Sequence, residues 1–150
     1  MYAAMMNTAL GSLLIKANNT AITQIHFMQD NDPLPELLGN QVTEQCIGEL
    51  AEYFAGKRSK FDIAIQAKGR DFQAKVWKAL MKVPYGETRS YGELAQEIGQ
   101  PKAARAIGMA NNRNPIPIII PCHRVIASNG KLTGYSGGLD NKRYLLALES

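Results

Sequence analysis

The stretch Ser90-Tyr91-Gly92-Glu93-Leu94-Ala95-Gln96-Glu97-Ile98-Gly99-Gln100-Pro101-Lys102-Ala103-Ala104-Arg105-Ala106-Ile107-Gly108-Met109-Ala110 decides how this chain folds. It opens on a capping box, in which the Ser90 hydroxyl and the Glu93 carboxylate satisfy each other's orphan backbone amides. Leu94, Ala95 and Ile98 then form an apolar stripe at helical spacing, and Gly99 stops the helix. Pro101 suits the first turn of a second helix, predicted over 102–110. Two short helices across a tight Gly99-Gln100-Pro101 turn have the form of a helix-turn-helix. The second is built of small residues, Ala103, Ala104, Ala106, Gly108 and Ala110, with the long cation Arg105 standing among them. Small side chains let a backbone approach its partner closely, either another helix or a nucleic-acid groove.

Charge favours the groove. The net charge of +4 divides into −5 over residues 1–56 and +9 over residues 57–150. No carboxylate lies between Glu97 and Asp140, whereas Lys102, Arg105, Arg113, Arg124 and Lys131 all do. A one-sided cationic field attracts polyanions, nucleic acid foremost. The acidic N-terminal portion is a poor DNA surface.

Outward from the helix pair, Asp71 is expected to cap a helix carrying Phe72, Val76, Leu80 and Val83, stopped by Pro84-Tyr85-Gly86. The N-terminal third reads as a small sheet: Ser12–Ala17 and Ala21–Phe27 joined by an Asn18-Asn19 turn, with Met1–Asn7 as a third strand. A helix follows over about 39–54, with Cys46 on its apolar face, and Phe61, Ile63 and Ile65 alternate as a further strand does. His26 has no identifiable partner. Lys68-Gly69-Arg70 marks the join, so the expected architecture is α/β (α+β). A sheet-and-helix support domain (1–68) precedes a mainly helical domain (69–150) that contains the helix-turn-helix. One hundred and fifty residues, 45% apolar and 20% charged, suffice for such a core. No run approaches the about 20 apolar residues of a membrane helix, and the start has no basic signal-peptide region. Two distant cysteines without a Cys-x-x-Cys pair exclude a disulfide framework and a structural zinc site, and fit the cytoplasm.

The chemistry concentrates after the apolar run Ile116-Pro117-Ile118-Ile119-Ile120, expected as a buried strand delivering Pro121-Cys122-His123-Arg124. The chain holds two cysteines and two histidines, and one of each meets here. Cysteine is a strong nucleophile only as thiolate, a form that nearby histidine or cationic groups promote. A packed core cysteine is the alternative reading of the pair alone.

Taken together, Pro84-Tyr85-Gly86-Glu87-Thr88, Ser90-Tyr91, Lys102-Ala103-Ala104-Arg105-Ala106, Asn114-Pro115, Ile120 to Ile126 and Gly134-Tyr135-Ser136-Gly137-Gly138 occur in order. This series resembles the O6-alkylguanine-DNA alkyltransferases, or methylated-DNA–protein-cysteine methyltransferases, over residues 71–149. The resemblance implies a DNA-repair protein that moves an alkyl group from O6 of guanine, and less efficiently from O4 of thymine, in double-stranded DNA onto Cys122. The thioether stays, so each molecule reacts once. His123 would act as base through an ordered water, Glu149 would orient His123, and Asn114 would bridge the helix-turn-helix to the active-site turn.

The lesion is stacked out of reach of a buried thiol, so the nucleotide must be flipped out. By resemblance, the second helix enters the minor groove with Lys102, Ala103 and Ala104 against DNA, and Arg105 fills the vacated place in the stack. Tyr91 turns the target phosphate and lines the base pocket; Tyr135, Ser136 and Gly137 belong to the loop over the flipped base, with the Ser136 amide donating to O6. Departures fall at Met109 and Asn111-Asn112-Arg113, where the family has smaller or more glycine-rich residues. The zinc-binding Cys and His set of some vertebrate members is missing. No metal, cofactor or membrane is expected, and the protein is expected to act as a cytoplasmic monomer.

Three other readings compete. A non-catalytic alkyltransferase-like protein binds lesions without chemistry, but such relatives typically carry Trp where this chain has Cys122. A conventional helix-turn-helix regulator leaves Pro121-Cys122-His123-Arg124 unexplained and needs polar recognition side chains rather than alanines. A Cys-His hydrolase needs an oxyanion hole and a third partner, and nothing in the chain resembles either.

Overall fold

In the computed structural model, which describes residues Met1–Ser150, the chain forms two compact units, Met1–Lys68 and Gly69–Ser150.

The first unit is a three-stranded antiparallel sheet, β1 (Tyr2–Thr8), β2 (Gly11–Ala17) and β3 (Ile22–Phe27), with helix α1 (Gln41–Phe54). The central strand β2 buries Leu13, Leu14, Ile15 and Ala17 on both faces, so its sequence reads as an unbroken apolar run. Register runs from Tyr2↔Ala17 to Thr8↔Gly11, and a bulge at Lys16/Ala17 interrupts pairing with β3. Asn40 caps α1 in a reciprocal box with Thr43, so the helix starts two residues past Gly39. Its inner face is Thr43, Cys46, Glu49, Leu50 and Tyr53.

Two sequence expectations fail in this unit for one physical reason each. Phe61, Ile63 and Ile65 do not make a strand; a single bridge joins Ile65 to Ile22. The buried Glu49 carboxylate takes the N–H groups of Asp62 (2.8 Å) and Ile63 (3.1 Å), which are therefore withheld from any ladder. His26 does have a partner: its Nε2 lies 2.9 Å from Oδ2 of Asp32, carried back by the proline-marked loop.

The second unit contains α2 (Asp71–Met81), α3 (Tyr91–Glu97), α4 (Ala104–Asn112) and α5 (Leu139–Glu149). Two short strands, β4 (Arg89–Ser90) and β5 (Val125–Ile126), pair in parallel. Asp71 is the first helical residue of α2 rather than its cap, the cap being Arg70. Trp77 anchors α2 on α4 by donating its indole N–H to the Ala110 carbonyl at 3.0 Å. A side chain at Gly69 would stand 2.4 Å from that indole ring, so only glycine lets the chain enter α2 here. Ser90 and Glu93 form the expected capping box, and Gly99 turns the chain at φ +76°. The helix that follows begins at Ala104, later than expected. Pro101 and Lys102 form a turn, and Ala103 donates its N–H to the Gln100 carbonyl. Ile107, Ala110 and Asn111 face inward, completing the helix-turn-helix.

The run Ile116–Ile120 is buried but is not a strand. Ile118 has φ +75°, a left-handed conformation that costs a β-branched residue about 1–3 kcal/mol. The Ile120 N–H returns to the Ile116 carbonyl, and the Asn114 side chain supplies the hydrogen bonds a sheet would otherwise provide.

Candidate active site

Asn114 fixes the entry to the site. Its Nδ2 donates to the Ile120 carbonyl (2.8 Å) while its Oδ1 accepts from the Ile116 N–H (2.9 Å), closing the apolar run into a loop. Pro121, at φ −81° and ψ 64°, then forms an inverse γ-turn closed by Cys122 N–H on the Ile120 carbonyl at 2.8 Å. One 3-10 turn, Cys122–Arg124, carries the three reactive side chains before β5 begins. Asn111, at the end of α4, donates its Nδ2 to the Cys122 carbonyl at 3.2 Å, so the helix-turn-helix grips the cysteine backbone directly.

All three side chains of the turn are buried. His123 places Nε2 2.7 Å from Oε2 of Glu149, the last residue of α5. Arg124 grips the same carboxylate with two donors, Nε to Oε1 at 2.8 Å and Nη2 to Oε2 at 3.0 Å, and gives Nη1 to the Val83 carbonyl at 2.7 Å. With its charge paired to Arg124, Glu149 is the acceptor for His123; the imidazole then carries its proton on Nε2. That leaves Nδ1 a bare, buried lone pair with no protein partner. Burial holds the His123 pKa below its ordinary 6.5 although Glu149 pulls upward, so the ring is neutral near pH 7.

Burial likewise pushes the Cys122 thiol up to about 11, opposed in part by the Asn114 amide and the positive charge of Lys142. The resting group is a thiol, and the site supplies a neutral imidazole to take its proton. Lys142 itself is fully buried on α5, donating Nζ to the carbonyls of Val125 (2.6 Å) and Thr133 (2.8 Å). It ties the end of the reactive turn to the loop 127–138, at the cost of a pKa lowered by burial.

That loop meets the helix-turn-helix at two points. The Tyr91 hydroxyl shares a 2.7 Å hydrogen bond with Oγ1 of Thr133, and Gly134 lies so close to the Asn112 amide that a Cβ there would sit 3.1 Å from Oδ1. Tyr135 is buried, Ser136 is exposed, and Gly137 accepts a hydrogen bond from Asn141. Ala103, which caps α4, and Ala104, its first residue, are half-buried. The outward stripe consists of Lys102, Arg105, Ala106, Met109, Asn112 and Arg113.

The structure thus brings Cys122, His123, Glu149 and Asn114 into one buried cluster, and places Arg105, exposed on α4, and Lys102, exposed in the turn before it, outside that cluster. Arg124, Asn111 and Lys142 join the cluster without having been singled out as site residues. Arg124 stood beside Cys122 in the motif. Lys142 carried only the weak signal of a lysine at an inward-facing α5 position, three residues before Leu145 and seven before Glu149.

A helix-turn-helix gripping a buried thiol, with a neutral imidazole and a carboxylate behind it, defines a nucleic-acid-binding protein equipped for nucleophilic chemistry at cysteine. Residues 71–150 match the 6-O-methylguanine DNA methyltransferase, DNA binding domain, and residues 1–67 match the 6-O-methylguanine DNA methyltransferase, ribonuclease-like domain. A methylated-DNA–protein-cysteine methyltransferase of Methanosarcina acetivorans is 46% identical over 153 residues, covering 99% of this chain and 98% of that protein. The crystal structure of Mycobacterium tuberculosis O6-methylguanine methyltransferase superposes with a TM-score of 0.90 at 43% identity, over 99% of this chain and 92% of that one. Mycobacterium tuberculosis OGT in complex with DNA gives 0.91 at the same identity and coverage. The chain belongs to the O6-methylguanine DNA methyltransferase family.

Proposed function

We propose that this chain repairs double-stranded DNA by taking the alkyl group from O6 of guanine, and less efficiently from O4 of thymine, onto Cys122 in a single irreversible turnover. The observation that carries this reading is the free Nδ1 of a neutral, carboxylate-held His123 in the same turn as the buried thiol. His123 takes the thiol proton through a water, and Glu149 compensates the imidazolium that forms. The thiolate attacks the alkyl carbon; the S–C bond forms as the C–O6 bond breaks. The departing guanine anion is stabilised at O6 by the Ser136 amide and regains a proton at N1. The thioether has no leaving group that water can displace under these conditions, so the molecule is spent.

Flipping is required because a target inside the stack cannot reach a thiol with 1% exposure. Arg105, exposed on α4, fills the gap; Lys102, Ala103 and Ala104 line the approach to DNA. Tyr91, hydrogen-bonded to Thr133, links the phosphate-turning step to the loop of Tyr135, Ser136 and Gly137 that covers the base. Asn114 holds the turn that presents the sulfur. No helix is long and apolar enough to cross a membrane. Two free thiols favour the cytoplasm, where the protein acts as a monomer.

The test is intact-protein mass after mixing with excess duplex DNA containing one O6-methylguanine, followed by peptide mapping. One methyl group on the Cys122 peptide and no further turnover is the expected result; Cys122→Ser binds the lesion without gaining mass. Methyl transfer by Cys122→Ser would overturn the assignment, and tight lesion binding by the unaltered chain with no mass gain would favour a non-catalytic lesion binder.

A further inference from the structure

Two buried side-chain acceptors close to Cys122 have no partner in the protein: Nδ1 of His123 and Oδ1 of Asn111. The first receives the thiol proton. The second is an acceptor that nothing in the fold uses. Asn111 stands on the inward face of α4 with Ile107 and Ala110, and it is 2% exposed. Its orientation is forced. A carbonyl oxygen only accepts, so the atom 3.2 Å from the Cys122 carbonyl must be Nδ2, and the amide oxygen is the one left bare. The residue is also held in place through its backbone: its own carbonyl accepts the Asn114 N–H, and the neighbouring Ala110 carbonyl takes the Trp77 indole. A buried amide oxygen without a donor costs free energy in the resting fold, and native proteins keep few of them. One fixed against the reactive residue fits a donor that arrives from outside the chain.

The molecule that must come to Cys122 is the flipped base. Sulfur and carbonyl belong to one residue, so whatever uncovers the sulfur for the base brings that base to the amide bonded to the carbonyl. O6-alkylguanine has lost the hydrogen on N1, and its ring nitrogens N1 and N3 only accept. The exocyclic 2-amino group is the one donor on its pairing edge. O4-alkylthymine has no donor there at all, because N3 loses its hydrogen on alkylation and O2 only accepts. An acceptor at this place is satisfied by the guanine lesion and left unpaired by the thymine lesion.

We propose that Asn111 is a specificity-determining residue whose Oδ1 accepts a hydrogen bond from the 2-amino group of the flipped guanine while Nδ2 keeps its hold on the Cys122 carbonyl. This rests on the reading that the chain takes alkyl groups from O6 of guanine onto Cys122. The contact is made to an atom remote from the bond that breaks. It orients the ring so that the O6 substituent faces the sulfur, and it moves no proton. It also accounts for the weaker reaction at O4 of thymine, a base that leaves a buried polar group unpaired.

The test compares the rate of Cys122 alkylation by free O6-benzylguanine with that by 6-benzyloxypurine, the same molecule without its 2-amino group. One hydrogen bond of this kind is worth about five- to tenfold, and the unaltered protein is expected to favour O6-benzylguanine by that factor. In Asn111→Leu the two probes should react within about twofold of each other, whatever the overall rate, because the lost grip on the Cys122 carbonyl slows both alike. Asn111→Val repeats the comparison if the leucine variant does not fold. On duplex DNA the same substitution should narrow the preference for O6-methylguanine over O4-methylthymine by about five- to tenfold. Equal rates for the two probes with the unaltered protein overturn the proposal, and so does a preference that survives in the variant, since the amino group is then received elsewhere. Equal losses on the two duplex lesions overturn it too, and reduce Asn111 to a support of the turn. No alkylation of the unaltered protein by O6-benzylguanine would count against the functional reading, whereas alkylation with an unmoved ratio would count against Asn111 alone.

Discussion

Replacing Glu149 with glutamine separates what this carboxylate does for the fold from what it does for the chemistry. It receives three donors in the resting protein: His123 Nε2 at 2.7 Å and the Arg124 pair at 2.8 and 3.0 Å. Both members of the Arg124–Glu149 pair are buried, their side chains 8% and 2% exposed. Removing one partner of such a pair costs about 3–5 kcal/mol, because the other charge stays buried and uncompensated. Glutamine keeps one acceptor oxygen, so the low end, about 3 kcal/mol in urea denaturation, is the expected loss. The chemistry should suffer separately. Without the carboxylate the imidazolium formed at His123 has no counter-charge, and its Nε2 proton loses its strongest acceptor. Positioned bases contribute about 10²–10⁴-fold, so the second-order rate of Cys122 alkylation by free O6-benzylguanine should fall about a hundredfold or more. The free base is the appropriate probe because it needs no flipping. The double variant Arg124→Met with Glu149→Leu removes both buried charges; stability should return to within about 1–2 kcal/mol of the starting protein, since apolar replacement of a buried pair is often neutral, while the rate stays low. A rate within threefold of normal for Glu149→Gln would refute the role assigned to Glu149 in proton transfer. Unchanged stability would refute the accounting for the buried charge.

Three further outcomes follow from the same geometry. Arg105→Ala should slow repair of duplex lesions far more than reaction with free O6-benzylguanine, by about tenfold or more, since unstacking costs a few kcal/mol and only the duplex incurs it; equal losses in paired rate measurements would exclude a stacking role. Lys142→Met removes a cation that favours the thiolate and takes away the donor to the buried Val125 carbonyl and the partly buried Thr133 carbonyl. Ultraviolet titration of the thiol should show the Cys122 pKa rising from about 11, and hydrogen exchange should quicken over residues 127–138. His123 is held below 6.5 in the folded state, so the unfolded chain binds the proton more readily. Its contribution to stability is therefore complete above about pH 6.5 and is lost as pH falls through the window beneath that value, at up to about 1.4 kcal/mol per pH unit. His123→Gln should flatten that limb of the stability profile in denaturant titrations.

Elements governed by neighbours in sequence were legible without coordinates. The Ser90–Glu93 box, the Gly99 stop and the apolar face of α1 all depend on residues three or four apart, and helix geometry alone places them. The sheet of the first unit was legible for the same reason, since its strands are joined by short turns. The cysteine, its histidine neighbour and the cationic helix were likewise evident as residue types in a pattern. The rest was decided by side chains that claim backbone groups against the local pattern, some from far along the chain and some from close by. Phe61 to Ile65 alternate like a strand, yet Glu49, 13 residues before Asp62, claims their amides. The run Ile116–Ile120 looks like a buried strand by composition, but Asn114 satisfies its backbone locally and Ile118 adopts a left-handed conformation that no isoleucine reveals in advance. Arg124 reaches Val83 and Glu149 across 41 and 25 residues, and Lys142 spans α5, β5 and the loop 127–138. Hydrophobic pattern and local propensity are properties of a window of sequence. The protonation state of Cys122 and His123 is set by burial and by charges brought from elsewhere, so the amino-acid sequence names the reacting groups, and only packing determines which of them holds the proton.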